Sequence, residues 1–265
     1  MKGNYKYEDK VFEEGIISRL SSKLHNLGKQ LTLNFEKLNN EKESSKALVT
    51  DISHQLKTPL ASLSLYNSLL QDEDLTLEER QEFLSSSEAT ITKLKNLIDA
   101  LVNISRLEAS MIKIKVEENS IKETLVRAVN SVYLKASNKN IEINLEEFDD
   151  IIVLHDSKWT EESIFNVLDN SVKYTNENGK IDIKVSTDYN YVRVDIKDTG
   201  IGISKDEYNN IFKRFYRVNS NKVKNIEGSG VGLYLTRKIL EEQGGNIMVK
   251  SQVGVGSEFV ILLPK

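Results

Sequence analysis

The chain has 265 residues, 39% hydrophobic and 29% charged, with a formal net charge of -4. That is enough for one large or two ordinary domains with real cores, two being the better reading; the balance of charge gives no basic field and excludes nucleic-acid binding. With no cysteine, disulfides, thiolate metal sites and cysteine nucleophiles are excluded together, and His25, His54 and His155 are too few for a zinc site.

The opening Met1-Lys2-Gly3-Asn4-Tyr5 has no apolar core of signal-peptide length. No stretch approaches the roughly 18 apolar residues of a membrane span, so no transmembrane segment is expected in this chain. From Leu20 the apolar positions Leu24, Leu27, Leu31, Phe35 and Leu38 follow at spacings of four, three, four, four and three. This is a coiled-coil seam with one stutter; a single amphipathic helix packed on its own domain is the alternative. A polar stretch over 39–45 leads into the next helix.

That helix carries Val49, Ile52, Leu56, Leu60 and Leu63 at spacings of three and four. At 100° per residue His54 lies about 200° around from Ile52, on the solvent face. Imidazole there can be a phosphoacceptor or an ordinary surface residue. Pro59 removes a backbone donor and is expected to kink the helix beside His54. The helix should end near Leu70, and Thr76-Leu77-Glu78-Glu79 is a capping box that opens another. So short a loop makes the pair antiparallel. The second helix carries Leu84, Ile91, Leu94, Leu97, Ile98, Leu101 and Ile104, a stripe too wide for one partner, which implies a homodimeric four-helix bundle.

After Met111 the pattern changes. Ile112-Lys113-Ile114-Lys115-Val116 and Ile141-Glu142-Ile143-Asn144-Leu145 alternate as strands, with a capping box at Ser120-Ile121-Lys122-Glu123 between them. A helix over 159–174 precedes strands at 180–186 and 191–198, and the last strands lie near 246–251 and 258–263. This predicts an α+β sandwich with helices on one side of a mixed sheet.

Three segments of this second part suggest nucleotide chemistry. In the helix, Asn166, Asn170 and Lys173 share a face opposite Val167, Leu168 and Val172; an amide oxygen suits Mg²⁺ and the lysine suits phosphate, though a solvated helix face reads the same. Asp198-Thr199-Gly200-Ile201-Gly202 ends a strand, where a carboxylate can accept an exocyclic amino proton beside glycines that let a flat base approach; an ordinary turn is the alternative. Gly228-Ser229-Gly230-Val231-Gly232-Leu233 opens a helix whose N-terminal N–H groups attract anions. It is neither a Walker loop nor a Rossmann turn.

Taken in order, these motifs resemble those of the bacterial two-component sensor histidine kinases from about residue 42 to residue 265. The chain shows a phosphoacceptor box (Ser53-His54-Gln55-Leu56-Lys57-Thr58-Pro59-Leu60), an N box (166–174) and a first glycine box (Asp198 to Gly202). An F box (Ile211-Phe212-Lys213-Arg214-Phe215-Tyr216), a second glycine box (228–233) and a glycine pair at Gly254 and Gly256 follow. The resemblance implies a coiled-coil signal-transmitting segment (1–44), a dimerisation and phosphotransfer domain (45–112) and an ATP-binding domain of the Bergerat, gyrase-like type (113–265). It implies autophosphorylation of His54 by ATP and transfer to an aspartate of a response regulator, in a cytoplasmic protein or the cytoplasmic part of a membrane-anchored sensor. An ATPase or ATP-binding adaptor of the same fold, with an inert His54, is the alternative.

The resemblance also assigns roles. Asn170 would hold Mg²⁺ with Asn166 in support, Lys173 would contact phosphate, Tyr174 would lie against the nucleotide and Asp198 would bind the adenine amino group. Gly200, Gly202, Gly228, Gly230 and Gly232, with Phe215 and Leu233 in their boxes, would shape the pocket. A lid over 218–227 would bring Lys222 and Lys224 to the triphosphate, and Arg214 would stabilise the transferred phosphoryl group.

One position departs from the family pattern. The residue after the phosphoacceptor is usually an acid that takes the imidazole proton; here it is Gln55, and an amide is no base. Asp51 precedes His54 by three residues and Thr58 follows by four, so all three share a helical face. Asp51 is the substitute base or orienter to test against the reading of a solvated helix acid. The Thr58 hydroxyl can orient a water, which leads us to expect phosphatase activity toward the regulator.

Overall fold

The computed structural model describes residues 6–108, 114–218, 226 and 228–265. The chain divides into two compact units, Met1–Thr58 and Pro59–Lys265. Helix α1 (Lys6–Leu69) runs without interruption through both the polar stretch at 39–45 and Pro59. Among its described residues the first unit is one helix with its apolar seam in solvent: Leu20, Leu24, Leu27, Leu31 and Phe35 are all exposed. Leu38 falls among residues whose side chains are not described.

The second unit begins with the end of α1 and continues into α2 (Leu77–Glu108). The expected capping box is formed in both directions. Thr76 Oγ1 accepts from the Glu79 N–H at 3.2 Å, and the Glu79 carboxylate accepts from the Thr76 N–H at 3.0 Å. The hydrogen bonds from Thr76 hold the Glu79 carboxyl below its ordinary pKa. Tyr66 stacks on Phe83 with ring centroids 6.3 Å apart, joining α1 to α2. Leu97 is buried, while Leu84, Ile91, Ile98 and Val102 remain exposed on α2.

Strand β1 (Glu117–Ser120) precedes α3 (Ile121–Asn138), β2 (Glu142–Leu145), β3 (Ile152–His155), α4 (Ser157–Tyr174), β4 (Lys180–Thr187), β5 (Tyr191–Asp198), α5 (Gly232–Glu242), β6 (Asn246–Gln252) and β7 (Gly256–Pro264). The main sheet has the order β2-β4-β5-β7-β6, with β2 and β4 parallel and the other neighbours antiparallel, and β1 pairs with β3 apart from it. The parallel pair needs a crossover, and α4 lies within it. Alternation predicted most of these strands. Ile181, Ile183 and Val185 of β4 and Val192, Val194 and Ile196 of β5 point into the core, where they meet Leu125, Val132, Ile164 and Leu168 of the helices.

The strand predicted over 112–116 is corrected. Residues 114–116 are irregular, and 112 and 113 lie outside the described residues. Instead of a strand partner, the Lys115 N–H finds the Asp156 carboxylate at 2.9 Å; pairing starts at Glu117 opposite His155. Helix α3 starts where Ser120 Oγ accepts from the Glu123 N–H, and α4 where Asp156 accepts from the Trp159 N–H. Lys139 closes the other end of α4, its ammonium donating to the carbonyls of Val172, Lys173 and Thr175 at 2.9, 3.0 and 2.9 Å. Among the described residues no helix is long and apolar enough to cross a membrane.

Candidate nucleotide site

Within the second unit a cavity of about 440 Å³ opens along one face of α4, the size of a cofactor-scale site. Asn166, Asn170, Lys173 and Tyr174 of α4 line it, as do Asp198 and Gly202 after β5 and Gly228, Gly230, Gly232 and Leu233 at the start of α5. Helix α2 contributes Asn96, Asp99 and Asn103 to its rim. Segments far apart in sequence converge because α4 packs against both β5 and α5.

Asp198 is buried at the end of β5. Its Oδ1 accepts the backbone N–H of Gly200 at 2.9 Å and of Ser257 at 3.1 Å, while Oδ2 has only a long contact to Ser171 Oγ at 3.4 Å. One oxygen is anchored and the other keeps spare acceptor capacity toward the cavity. Burial raises the Asp198 pKa, and the bonds from Gly200, Ser257 and Ser171 offset part of that rise. Gly202 has φ +70°, and a Cβ there would lie 2.0 Å from the Gln252 carbonyl oxygen, so a side chain would force the β6–β7 turn off this loop. Gly200 does not line the cavity; a Cβ there would lie 2.6 Å from the Tyr174 carbonyl oxygen, so only glycine lets the two backbones approach this closely.

The α4 face carries the charge. Lys173 Nζ is 2.5 Å from Asp169 Oδ2, and Lys135, from α3, is 2.6 Å from Asp169 Oδ1. Burial alone would raise the Asp169 carboxyl; the two lysines outweigh it and hold the pKa below the ordinary value. Glu162, also on the wall, is pushed up by burial. Asn166 Nδ2 is itself buried without a hydrogen-bond partner, and its Oδ1 would lie 3.1 Å from a Cβ at Gly232. An unpaired amide N–H on the cavity wall is a donor that a phosphate oxygen would satisfy. Among the described residues no cluster of three His, Cys, Asp or Glu could hold an ion alone. An amide oxygen with waters and phosphate oxygens is a donor set that suits Mg²⁺.

Other expected residues lie elsewhere. Arg214 stacks over the Tyr234 ring, 5.4 Å from its centroid, and is not among the lining residues. Phe215 is likewise outside the lining; it holds a left-handed φ of 58°, and its backbone fills the space a Gly230 side chain would need. Lys222 and Lys224 lie outside the described residues. In the first unit His54, Gln55 and Thr58 are exposed and Asp51 half-buried on α1. Arg217, one residue beyond the F box as read from sequence, was missed and does line the cavity; it donates to the Ile226 carbonyl and to Tyr174. Lys135 was missed too, and no motif marks it.

Comparison with known proteins agrees with this geometry. Residues 155–265 match the family model described as "Histidine kinase-, DNA gyrase B-, and HSP90-like ATPase", and residues 44–110 match "His Kinase A (phospho-acceptor) domain". Over 224 residues the chain is 28% identical to "Sensor protein SrrB" of Staphylococcus aureus, covering 84% of this chain and 38% of that protein. Among solved structures it resembles ShkA in complex with AMPPNP, at 26% identity and TM-score 0.60 over 83% of this chain and 45% of that one. The fold also matches histidine kinase ThkA in complex with response regulator protein TrrA, at 20% identity and TM-score 0.71 over 88% of this chain and 66% of that one. An ATPase fold of this kind joined to a phospho-acceptor helix pair defines a class. The chain belongs to the bacterial two-component sensor histidine kinases, and it spans well under half the length of SrrB.

Proposed function

We propose that this chain is an ATP-dependent histidine kinase that phosphorylates itself on His54 and passes the phosphoryl group to an aspartate of a response regulator. The observation that carries the reading is an exposed His54, in a phospho-acceptor domain, in one chain with a cavity whose anchored carboxylate and whose amide and lysine side chains suit the two ends of a nucleotide. The likeness to ShkA, solved with AMPPNP, supports ATP as the substrate. The ThkA–TrrA complex has the same fold, and a response regulator is the partner we infer for this chain.

Asp198 Oδ2 would accept a hydrogen bond from the adenine amino group, Tyr174 would flank the nucleotide, and Lys173 and Arg217 would meet the phosphates beside the backbone of Gly228, Gly230 and Gly232. Lys222 and Lys224 of the 218–227 lid would add charge there. Arg214 would have to leave Tyr234 to reach the transferred group. Asn170, supported by Asn166, would hold Mg²⁺, which when bound neutralises charge between phosphate oxygens. A ring nitrogen of His54 forms the new N–P bond as the bond from the γ-phosphorus to the bridging oxygen breaks and ADP leaves; the ring proton passes to a base. Gln55 cannot take it. Asp51, on the same helical face, is the acid we assign as base or orienter, with Gln55 holding the ring and Thr58 orienting water for dephosphorylation of the regulator.

The exposed seam of α1 and the exposed stripe of α2 support homodimerisation through a four-helix bundle. We place the signal-transmitting segment at 1–44, the phosphotransfer domain at 45–112 and the catalytic domain at 113–265. Both substrates, ATP and a response regulator, point to cytoplasmic residence. Gln55 favours one second reading, an ATPase or ATP-binding adaptor with an inert His54. Incubation with γ-labelled ATP separates them: label retained on the protein supports the kinase, and released phosphate without labelled protein supports the adaptor or ATPase.

A further inference from the structure

Lys173 is expected to meet the triphosphate, yet it is engaged elsewhere: its ammonium is 2.5 Å from Asp169 Oδ2. An ordinary one-to-one pair would have to be broken on nucleotide binding, stranding a buried carboxylate, and such a stranded charge is costly. Asp169 is not in that position. Lys135 reaches across from the last turn of α3 and takes the other oxygen at 2.6 Å, with its ammonium also 5.6 Å from the centre of the Phe165 ring. The Lys135 side chain is 57% exposed and the Asp169 side chain 12%, so the lysine can adjust around a carboxylate that stays in place.

We propose that Lys135 is a positioning residue for the nucleotide: it keeps Asp169 neutralised so that Lys173 can pass from the carboxylate to the phosphates. Two lysines share one carboxylate, leaving one net positive charge on this group of three, and Lys135, Asp169 and Lys173 all line the cavity. Without Lys135 the remaining pair is neutral, and Asp169 competes with phosphate for Lys173. A lysine near a helix C-terminus also favours the helix dipole, which is the plainer role to be tested against.

This inference rests on the reading of the cavity as an ATP site, and nucleotide titrations of the full chain separate the two. Wild-type protein should bind ATP and, more weakly, adenosine. Lys135→Met should weaken ATP about fivefold, the upper end of the effect expected from one partly exposed ion pair, and leave adenosine unchanged. Lys135→Arg should restore ATP binding. In an Asp169→Asn background, where Lys173 has no carboxylate to leave, Lys135→Met should cost less than about twofold, within the usual additivity error. Equal weakening of ATP and adenosine by Lys135→Met would make the lysine structural and overturn the proposal, as would unchanged ATP binding. An undiminished loss in the Asp169→Asn background would make Lys135 a direct phosphate contact and also overturn it. If the wild-type chain bound no ATP, the nucleotide reading itself would fall.

Discussion

Helix α1 and the domain from β1 to β7 handle apolar surface in opposite ways. In the domain Ile164, Leu168, Ile183, Ile196 and Ile261 are wholly removed from solvent, so the sheet and its helices complete one another. On α1, Leu24 is 61% exposed and Phe35 69% exposed, and a helix whose periodic seam is left in solvent is unfinished on its own. The first arrangement suits a fixed pocket and the second a part that transmits change through association. Chemistry divides the same way: the cavity holds bonded, pKa-shifted groups, and His54 stands on an exposed face.

The contrast can be broken at the seam first. Leu24→Asp combined with Leu31→Asp should weaken self-association roughly 1,000-fold by sedimentation, since four apolar side chains of a dimer lose their burial. Nucleotide binding should not change. In the pocket, Asp198→Asn exchanges a carboxylate for an amide at the one acceptor left open, and ATP affinity should fall roughly 100-fold in a titration. A smaller effect belongs to the junction of the two chemistries. Gln55→Glu supplies the missing base and should raise the initial autophosphorylation rate about tenfold, less than a full general-base effect of roughly 10²–10⁴ because Asp51 already acts as base or orienter, while Asp51→Asn should lower it. An unchanged rate in Asp51→Asn would remove Asp51 from the mechanism.

The smallest effect concerns the stability of the domain. His155 is fully buried; its Nδ1–H donates to the Val153 carbonyl at 2.9 Å and its Nε2 lies 3.0 Å from Thr124 Oγ1. Burial lowers its pKa from 6.5, and Arg127 lowers it further against the opposing pull of Val153 and Asp156. The folded state therefore keeps the ring neutral where the unfolded chain takes up a proton. Stability is complete above pH 6.5 and is lost as pH falls toward the lower folded value, by about 1 kcal/mol for each tenfold difference in proton affinity between the unfolded and folded chains. Denaturation midpoints measured across pH should lose this component in His155→Gln.

The same contrast explains what the sequence disclosed. Strands β4 and β5 were legible because one face is buried, which writes alternation into Ile181-Asp182-Ile183 and Val192-Arg193-Val194. Strand β3 escaped because Ile151-Ile152-Val153-Leu154 is a continuous apolar run, and β1 because Glu117-Glu118-Asn119-Ser120 has no apolar residue at all; each is held by the other. The polar stretch at 39–45 was read as separating two helices, yet α1 runs through it, since no glycine or proline interrupts the chain there. Asn166, Asn170, Lys173 and Asp198 were found through ordered motifs. Lys135 was not, because it joins the site only when α3 packs beside α4, a relation that no local spacing carries.

The central claim is that His54 is the covalent acceptor of phosphate from the α4 cavity. Its most direct test is mapping of acid-labile phosphate after incubation of the chain with γ-labelled ATP, in wild type and in His54→Gln. The account predicts label on the peptide that contains His54, lost in the variant while ATP affinity is retained. Label that persists in His54→Gln, or a wild-type chain that binds ATP and never becomes labelled, would contradict it.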